Sequence, residues 1–209
     1  MKSGIVLLLF CVGLSAQDTK KGKNSESSLV ESGCYFNFNH YKKQQNPGFF
    51  AGYWYIYSTD ETGTHLEIGG TFGYSKSLYD FNYGKNGQFY PVRSEEFILN
   101  LGTRLVKEYS WKSYKIEWVN ELSFHNLFFS DKEIPEDEPV REEDNNTIYI
   151  DTHSTNVASL RIGEGIRFWK NNIGLGIQAS YMPYRLWYKQ TVPERFNSFS
   201  VELSLNYKF

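Results

Sequence analysis

Ten charged side chains recur at alternate positions in segments otherwise rich in aliphatic and aromatic residues: Glu67, Arg104, Glu108, Lys115, Glu117, Glu121, Arg161, Arg167, Glu202 and Lys208. They divide evenly into acids and bases, so a closed space could hold them as ion pairs. Other chemistries find less support. His40, His65 and His125 fall in separate segments without metal-ligand spacing, and there is no phosphate loop or nucleophile elbow. The span 130–153 places Asp131, Glu133, Glu136, Asp137, Glu138, Glu142, Glu143, Asp144 and Asp151 against Lys132 and Arg141, a net charge of −7. It lacks the Asp-x-Asp-x-Asp-Gly order of a calcium loop and reads as a solvated loop able to meet a cation or a basic partner. No cofactor and no catalytic residue is assigned.

The elements that carry these charges are strands. Phe199, Val201, Leu203, Leu205, Tyr207 and Phe209 alternate without a miss with Ser198, Ser200, Glu202, Ser204, Asn206 and Lys208. Period-two alternation is the mark of a strand with two unlike faces. It recurs around 97–108, 115–125, 158–168 and 173–181, and less regularly around 34–41, 48–58 and 65–81, which makes eight strands. Gaps fall near 42–47, 59–64, 82–94, 110–113, 130–153, 170–172 and 190–196. From the third gap onward long connections alternate with tight turns, the asymmetry of an up-and-down barrel embedded in an outer membrane. At the 110–113 turn, pairing Glu108 with Lys115 and Gly102 with Glu121 keeps polar against polar. At 170–172, Arg167 meets Gly176 and Phe168 meets Leu175.

Composition agrees. The chain has 209 residues, a formal net charge of −2, 18% aromatics and 22% charged residues, with a mean hydropathy of −0.51. The charge carries no nucleic-acid footprint. Past the N-terminus no apolar run reaches the ~18 residues of a membrane helix. Residues 1–16 read as a secretory signal peptide, with Lys2, an apolar core over 4–14 and Ala16 at the cleavage edge. Residues 17–32 read as a flexible periplasmic linker and 33–209 as the barrel. Cys34 is then the one cysteine left, and the domain must stand without disulfides.

Alternation alone fits either a soluble barrel with an apolar ligand inside or a membrane barrel with apolar side chains facing lipid. The balanced charges, and the glycines beside them at 69, 73, 102, 163, 165, 174 and 176, favour a filled polar interior. Aromatics near strand ends, namely Tyr109, Trp111, Tyr114, Phe168, Trp169, Tyr207 and Phe209, suit interfacial girdles. Glu164 breaks the pattern: parity puts it on the lipid face opposite Ala179, and its neighbours Gly163 and Gly165 suggest a bulge that turns it inward.

In Leu14-Ser15-Ala16-Gln17, in Gly33-Cys34-Tyr35-Phe36-Asn37-Phe38, in Gly48-Phe49-Phe50-Ala51-Gly52-Tyr53 and in the terminal strand Val201 to Phe209, the chain resembles small outer-membrane β-barrels of the Bacteroidota porin-family type. The terminal strand is similar to the C-terminal assembly signal of such barrels. That implies that Leu203, Leu205, Tyr207 and Phe209 are read by the barrel-assembly machinery. His153-Ser154-Thr155-Asn156 faintly resembles the His-x-Ser-Asn site of outer-membrane lipid A deacylases, with Thr155 where the nucleophilic serine would stand and Glu164 as a candidate acid.

The expectation is therefore an all-β, eight-stranded antiparallel transmembrane barrel in a bacterial outer membrane. Its partners would be outer-membrane lipid and lipopolysaccharide, the assembly machinery, and an extracellular partner at the acidic loop, with no nucleic acid. The expected role is structural or interactive and non-enzymatic: membrane integrity, adhesion or loop-mediated binding, or a narrow channel. A lipid A hydrolase and a secreted soluble barrel are the alternatives.

Overall fold

The computed structural model describes residues 27–58, 63–85, 88–129, 147–149, 156–186 and 194–209. Among them the strands are β1 (Ser27–Phe38), β2 (Lys42–Gln44), β3 (Gly48–Ser58), β4 (Thr64–Lys85), β5 (Gln88–Trp111), β6 (Tyr114–Phe129), β7 (Thr147–Tyr149), β8 (Asn156–Lys170), β9 (Ile173–Met182) and β10 (Ser198–Lys208). The eight long strands pair antiparallel in the cycle β1-β3-β4-β5-β6-β8-β9-β10, and β10 returns to β1. The sheet is closed, so these strands leave no unpaired edge. The two short strands attach to β4, β2 antiparallel and β7 parallel.

Burial alternates along the strands with the polar set inside. Glu202 and Ser200 point inward while Phe199, Leu203 and Leu205 point out. Leu105, Leu122, Ile162, Phe168 and Leu175 are each more than half exposed. The barrel is thus turned inside out relative to a soluble domain, with an apolar belt around a charged interior.

Turn chemistry sets the register. Lys112 and Asn171, each at φ 55°, open the two-residue turns that join β5 to β6 and β8 to β9. The β8–β9 hairpin has the expected register, with Arg167 opposite Gly176 and Phe168 opposite Leu175. The β5–β6 hairpin is shifted by two residues from expectation: Glu108 lies opposite Glu117 rather than Lys115, and Gly102 opposite Ser123 rather than Glu121. The loop is two residues long rather than four, and a shift of two leaves every side chain on its own face.

Three boundaries also differ. β1 begins at Ser27, not at residue 33; Leu29 and Glu31 already face the interior, in a stretch whose Ser and Glu content reads as linker. Residues 82–85 and 88–94 are not loop but the far part of a β4–β5 arm, paired from Tyr79–Ser94 to Lys85–Gln88 beyond a register shift after Ser75. β9 stops at Met182 because Pro183 has no N–H to continue the ladder, and the chain turns through Tyr184–Leu186. The signal-peptide segment and the His153 and Thr155 motif lie outside the described residues, as does the acidic stretch apart from β7.

Candidate functional site

The polar and charged side chains of the interior fall into three tiers. At the turn end, the Trp169 indole N–H donates to Glu117 Oε2 at 2.7 Å, and Lys208 pairs with Glu117 Oε1. Arg167 grips Glu67 with two bonds, Nη1 to Oε1 at 2.7 Å and Nη2 to Oε2 at 2.9 Å, and also lies 3.4 Å from Glu117. Trp169 is therefore an interior residue and not a member of the outward girdle, because its parity is that of Arg167. Gly174 makes room for it: a Cβ there would stand 2.7 Å from the indole ring. Tyr109, Tyr114, Phe168, Tyr207 and Phe209 do face outward.

The middle tier turns on Glu121. Its carboxylate accepts from Arg104 Nε at 2.8 Å, Arg161 Nη1 at 2.7 Å, Gln178 Nε2 at 2.8 Å and Ser123 Oγ at 2.8 Å. Arg161 reaches on to Glu202. Arg104 reaches Glu31 at 2.8 Å and lies 3.7 Å from the Trp54 ring centroid, while Trp54 donates its own N–H to the same Glu31 oxygen at 2.7 Å. Charge-assisted bonds of this length are the strong ones, and they leave little charge unmet. A cavity of about 10 Å³ beside Glu31, Arg104, Arg167 and Glu202 has room for about one water.

Of the ten charged residues singled out in the sequence, Glu67, Arg104, Glu117, Glu121, Arg161, Arg167, Glu202 and Lys208 meet in these two tiers. Glu108 and Lys115 do not. They pair with each other at 2.9 Å at the turn end, with the lysine half exposed. Glu31 joins the network unforeseen, its strand having been read as linker. His65 stands 3.4 Å from Glu67, and with Glu117 these three bring ligand atoms within 4.8 Å of one another. The two carboxylates are already bonded to Arg167, Lys208 and Trp169, so side chains supply the positive charge that a metal would bring.

The third tier lies toward the loop end. Glu96 Oε2 accepts from Lys42 at 2.8 Å, Tyr79 at 2.7 Å and Asn37 at 2.9 Å. Lys42, on the short β2, is buried, and that burial holds its ammonium below the usual range against the pull of Glu96. Nearby, Asn100 donates its amide N–H to Thr71 at 2.9 Å, which points its Oδ1 at His125 Nδ1, 2.6 Å away. With the Asn100 amide so oriented, His125 carries its proton on Nδ1, and its Nε2 accepts from the Tyr184 hydroxyl at 2.7 Å. Above this tier Tyr41, Tyr79, Phe81, Phe129, Tyr184 and Phe196 pack ring on ring, with centroids 5.0–6.2 Å apart. They come from the connections after β1 and β9, from the far part of β4 and from the end of β6, and they cap the barrel.

On the outer wall, Leu203, Leu205 and Tyr207 on β10 and Phe209 just past it form one exposed file. Glu164 is exposed as well. The register through β6, β8 and β9 is unbroken there, with Glu164 between Asn120 and Ala179, so no bulge turns it inward. The flanking glycines serve the interior instead: a Cβ on Gly163 would meet Gln178 Nε2 at 2.6 Å.

No protein-family model matches the chain, and no curated protein matches it. Among solved structures, Neisserial surface protein A (NspA) superposes with a TM-score of 0.52 at 11% identity, covering 90% of this chain and 98% of that one. Ail, the attachment invasion locus protein of Yersinia pestis, aligns at 14% identity and a TM-score of 0.46, over 88% of this chain and 99% of that one. The outer membrane enzyme PagL aligns at 14% identity and 0.46, over 87% and 98%. Likeness at this identity shows the fold alone. The chain is an eight-stranded antiparallel β-barrel of the kind found in small outer-membrane proteins such as NspA.

Proposed function

We propose that this protein is an outer-membrane barrel whose interior is a structural core and whose business is conducted at its loop end, by contact with an external partner, rather than by solute passage or catalysis. The observation that carries the reading is the pairing of a continuous apolar belt outside with a closed ion-paired interior under an aromatic cap. A side-chain-filled eight-stranded lumen leaves no aqueous channel. The β4–β5 arm supports the second half. Past Ser75 it extends beyond the pairing with β3, and β2 and β7 add to it, which builds a small sheet at the loop end that lipid would not cover. The file Leu203, Leu205, Tyr207 and Phe209 would serve the assembly machinery, and lipopolysaccharide would surround the belt.

Cell fractionation with an unheated-versus-boiled mobility gel tests location and folded state together. Outer-membrane recovery with a mobility shift is expected; recovery in the aqueous fraction overturns the reading. Swelling of vesicles loaded with the purified protein tests passage, and flux of small sugars above that of empty vesicles would argue for a channel.

A further inference from the structure

Asn120 on β6 and Glu164 on β8 sit directly opposite each other across a strand pair, and both side chains are exposed on the outer wall. Along β8, Glu164 lies between the exposed Ile162 and the half-buried Ile166; along β6, Asn120 lies between the exposed Trp118 and Leu122. Glu164 is six residues from the Asn171–Asn172 turn. At ~3.3 Å per residue and a tilt near 40°, that is roughly 15 Å up a belt about 25 Å tall, close to its middle. Neither side chain has a hydrogen-bond partner among the described residues. On the far side of Glu164 the neighbour is Ala179, which leaves the wall low beside it.

A carboxyl group and an amide held in hydrocarbon without partners are costly. We infer that this patch is the contact by which two copies of the chain associate side by side in the membrane, Asn120 of each copy donating to Glu164 of the other. The argument is one of self-complementarity. Two copies related by a two-fold axis along the membrane normal keep the same height and exchange left for right, so β6 of one faces β8 of the other. A donor and an acceptor side by side at one height then meet twice, as an isologous interface requires. No other occupant follows from the pattern as directly, since an acyl chain offers neither a donor nor an acceptor. This inference rests on the reading that the outer wall meets lipid.

The test uses the full chain in phosphatidylethanolamine–phosphatidylglycerol vesicles, in a Cys11→Ser/Cys34→Ser background labelled through Ser113→Cys at the exposed β5–β6 turn. Energy transfer between differently labelled copies, followed over a range of protein-to-lipid ratios, reports dimerisation. A dimer is expected for the parent. Glu164→Leu and Asn120→Leu should each weaken it at least tenfold, and Asn120→Glu, which sets carboxylate against carboxylate, should abolish it. The exchange variant N120E/E164N should restore it to within about threefold, because the two-fold axis makes the exchanged pair equivalent. A merely structural role for either residue gives no such rescue. A monomeric parent, or a dimer indifferent to these changes, overturns the inference. So does a photo-cross-linker at Leu122, activated in intact cells that express the chain, that captures lipopolysaccharide or another protein instead of a second copy. The heat-induced mobility shift is read for every variant. Its absence in the parent would defeat the membrane-barrel reading itself, whereas a shifted but monomeric parent defeats only the dimer.

Discussion

Arg167 and Glu67 hold each other by two parallel hydrogen bonds of 2.7 and 2.9 Å across the lumen, tying β8 to β4. The pair is buried, so removing one member leaves the other as an uncompensated charge. Arg167→Ala should cost about 3–5 kcal/mol of folding stability, whereas the double change Glu67→Leu/Arg167→Met should cost far less. Urea unfolding in lipid vesicles, followed by tryptophan fluorescence, checks both. Equal losses in the single and double variants would mean that packing rather than charge is at stake.

Tyr184 belongs to the connection after β9, yet its hydroxyl is bonded to His125 in the wall. Tyr184→Phe should cost about 1–3 kcal/mol by leaving His125 Nε2 unpaired. Nitrogen-15 spectra should show His125 as the Nδ1–H tautomer in the parent, and the Nε2 resonance should move in the variant. A spectrum of the Nε2–H form would refute the assignment.

Phe196 touches Tyr41, Tyr79, Phe81 and Tyr184 in the cap. Phe196→Ala should lower stability by about 3–5 kcal/mol. Proteases added from the loop side should cleave the connections faster, while strand content by circular dichroism stays unchanged. Loss of strand content instead would show that the cap and the wall fold as one unit.

Phe209 N–H donates to Ser28 O at 3.0 Å and Ser28 N–H to Phe209 O at 2.9 Å, and the Phe209 ring stacks on Tyr207. Deleting Phe209 removes both backbone bonds and the end of the outward file. The amount recovered in the outer membrane should fall several-fold, with material accumulating in the periplasm. Phe209→Tyr should leave it nearly unchanged, and equal recovery of deletion and parent would discount the assembly role of this file.

Much of the wall was legible because parity survives errors of detail. The belt and the interior set follow from alternation even where the β5–β6 register lies two residues from the expected one, since Arg104 and Glu121 keep their face under that shift. Partners do not follow from parity. Arg104 was readable as interior, but its place between Glu31, Glu121 and Trp54 depends on turn length and on strands distant in sequence. Glu31 escaped notice because Ser27, Ser28 and Ser32 look like linker. The aromatic cap escaped because Tyr41, Phe81, Tyr184 and Phe196 lie where the pattern breaks. The β4–β5 arm was obscured by Gly84, Gly87 and Pro91, residues that usually mark a loop.

The join between β1 and β10 sets a condition on how the protein can fold. Leu29 pairs with Lys208 and Phe38 with Phe199, contacts between the two ends of the described chain. Loop closure over such a distance comes late and slowly, because its entropic cost falls due before the contacts reward it. Until the last strand arrives, β1 is a bare edge with Glu31 lacking the Arg104 that neutralises it only in the closed ring. An intermediate with seven strands in place is therefore a sheet that carries unmet charge and an open flank. Commitment to the native state should come in a single step, at the moment the two ends meet.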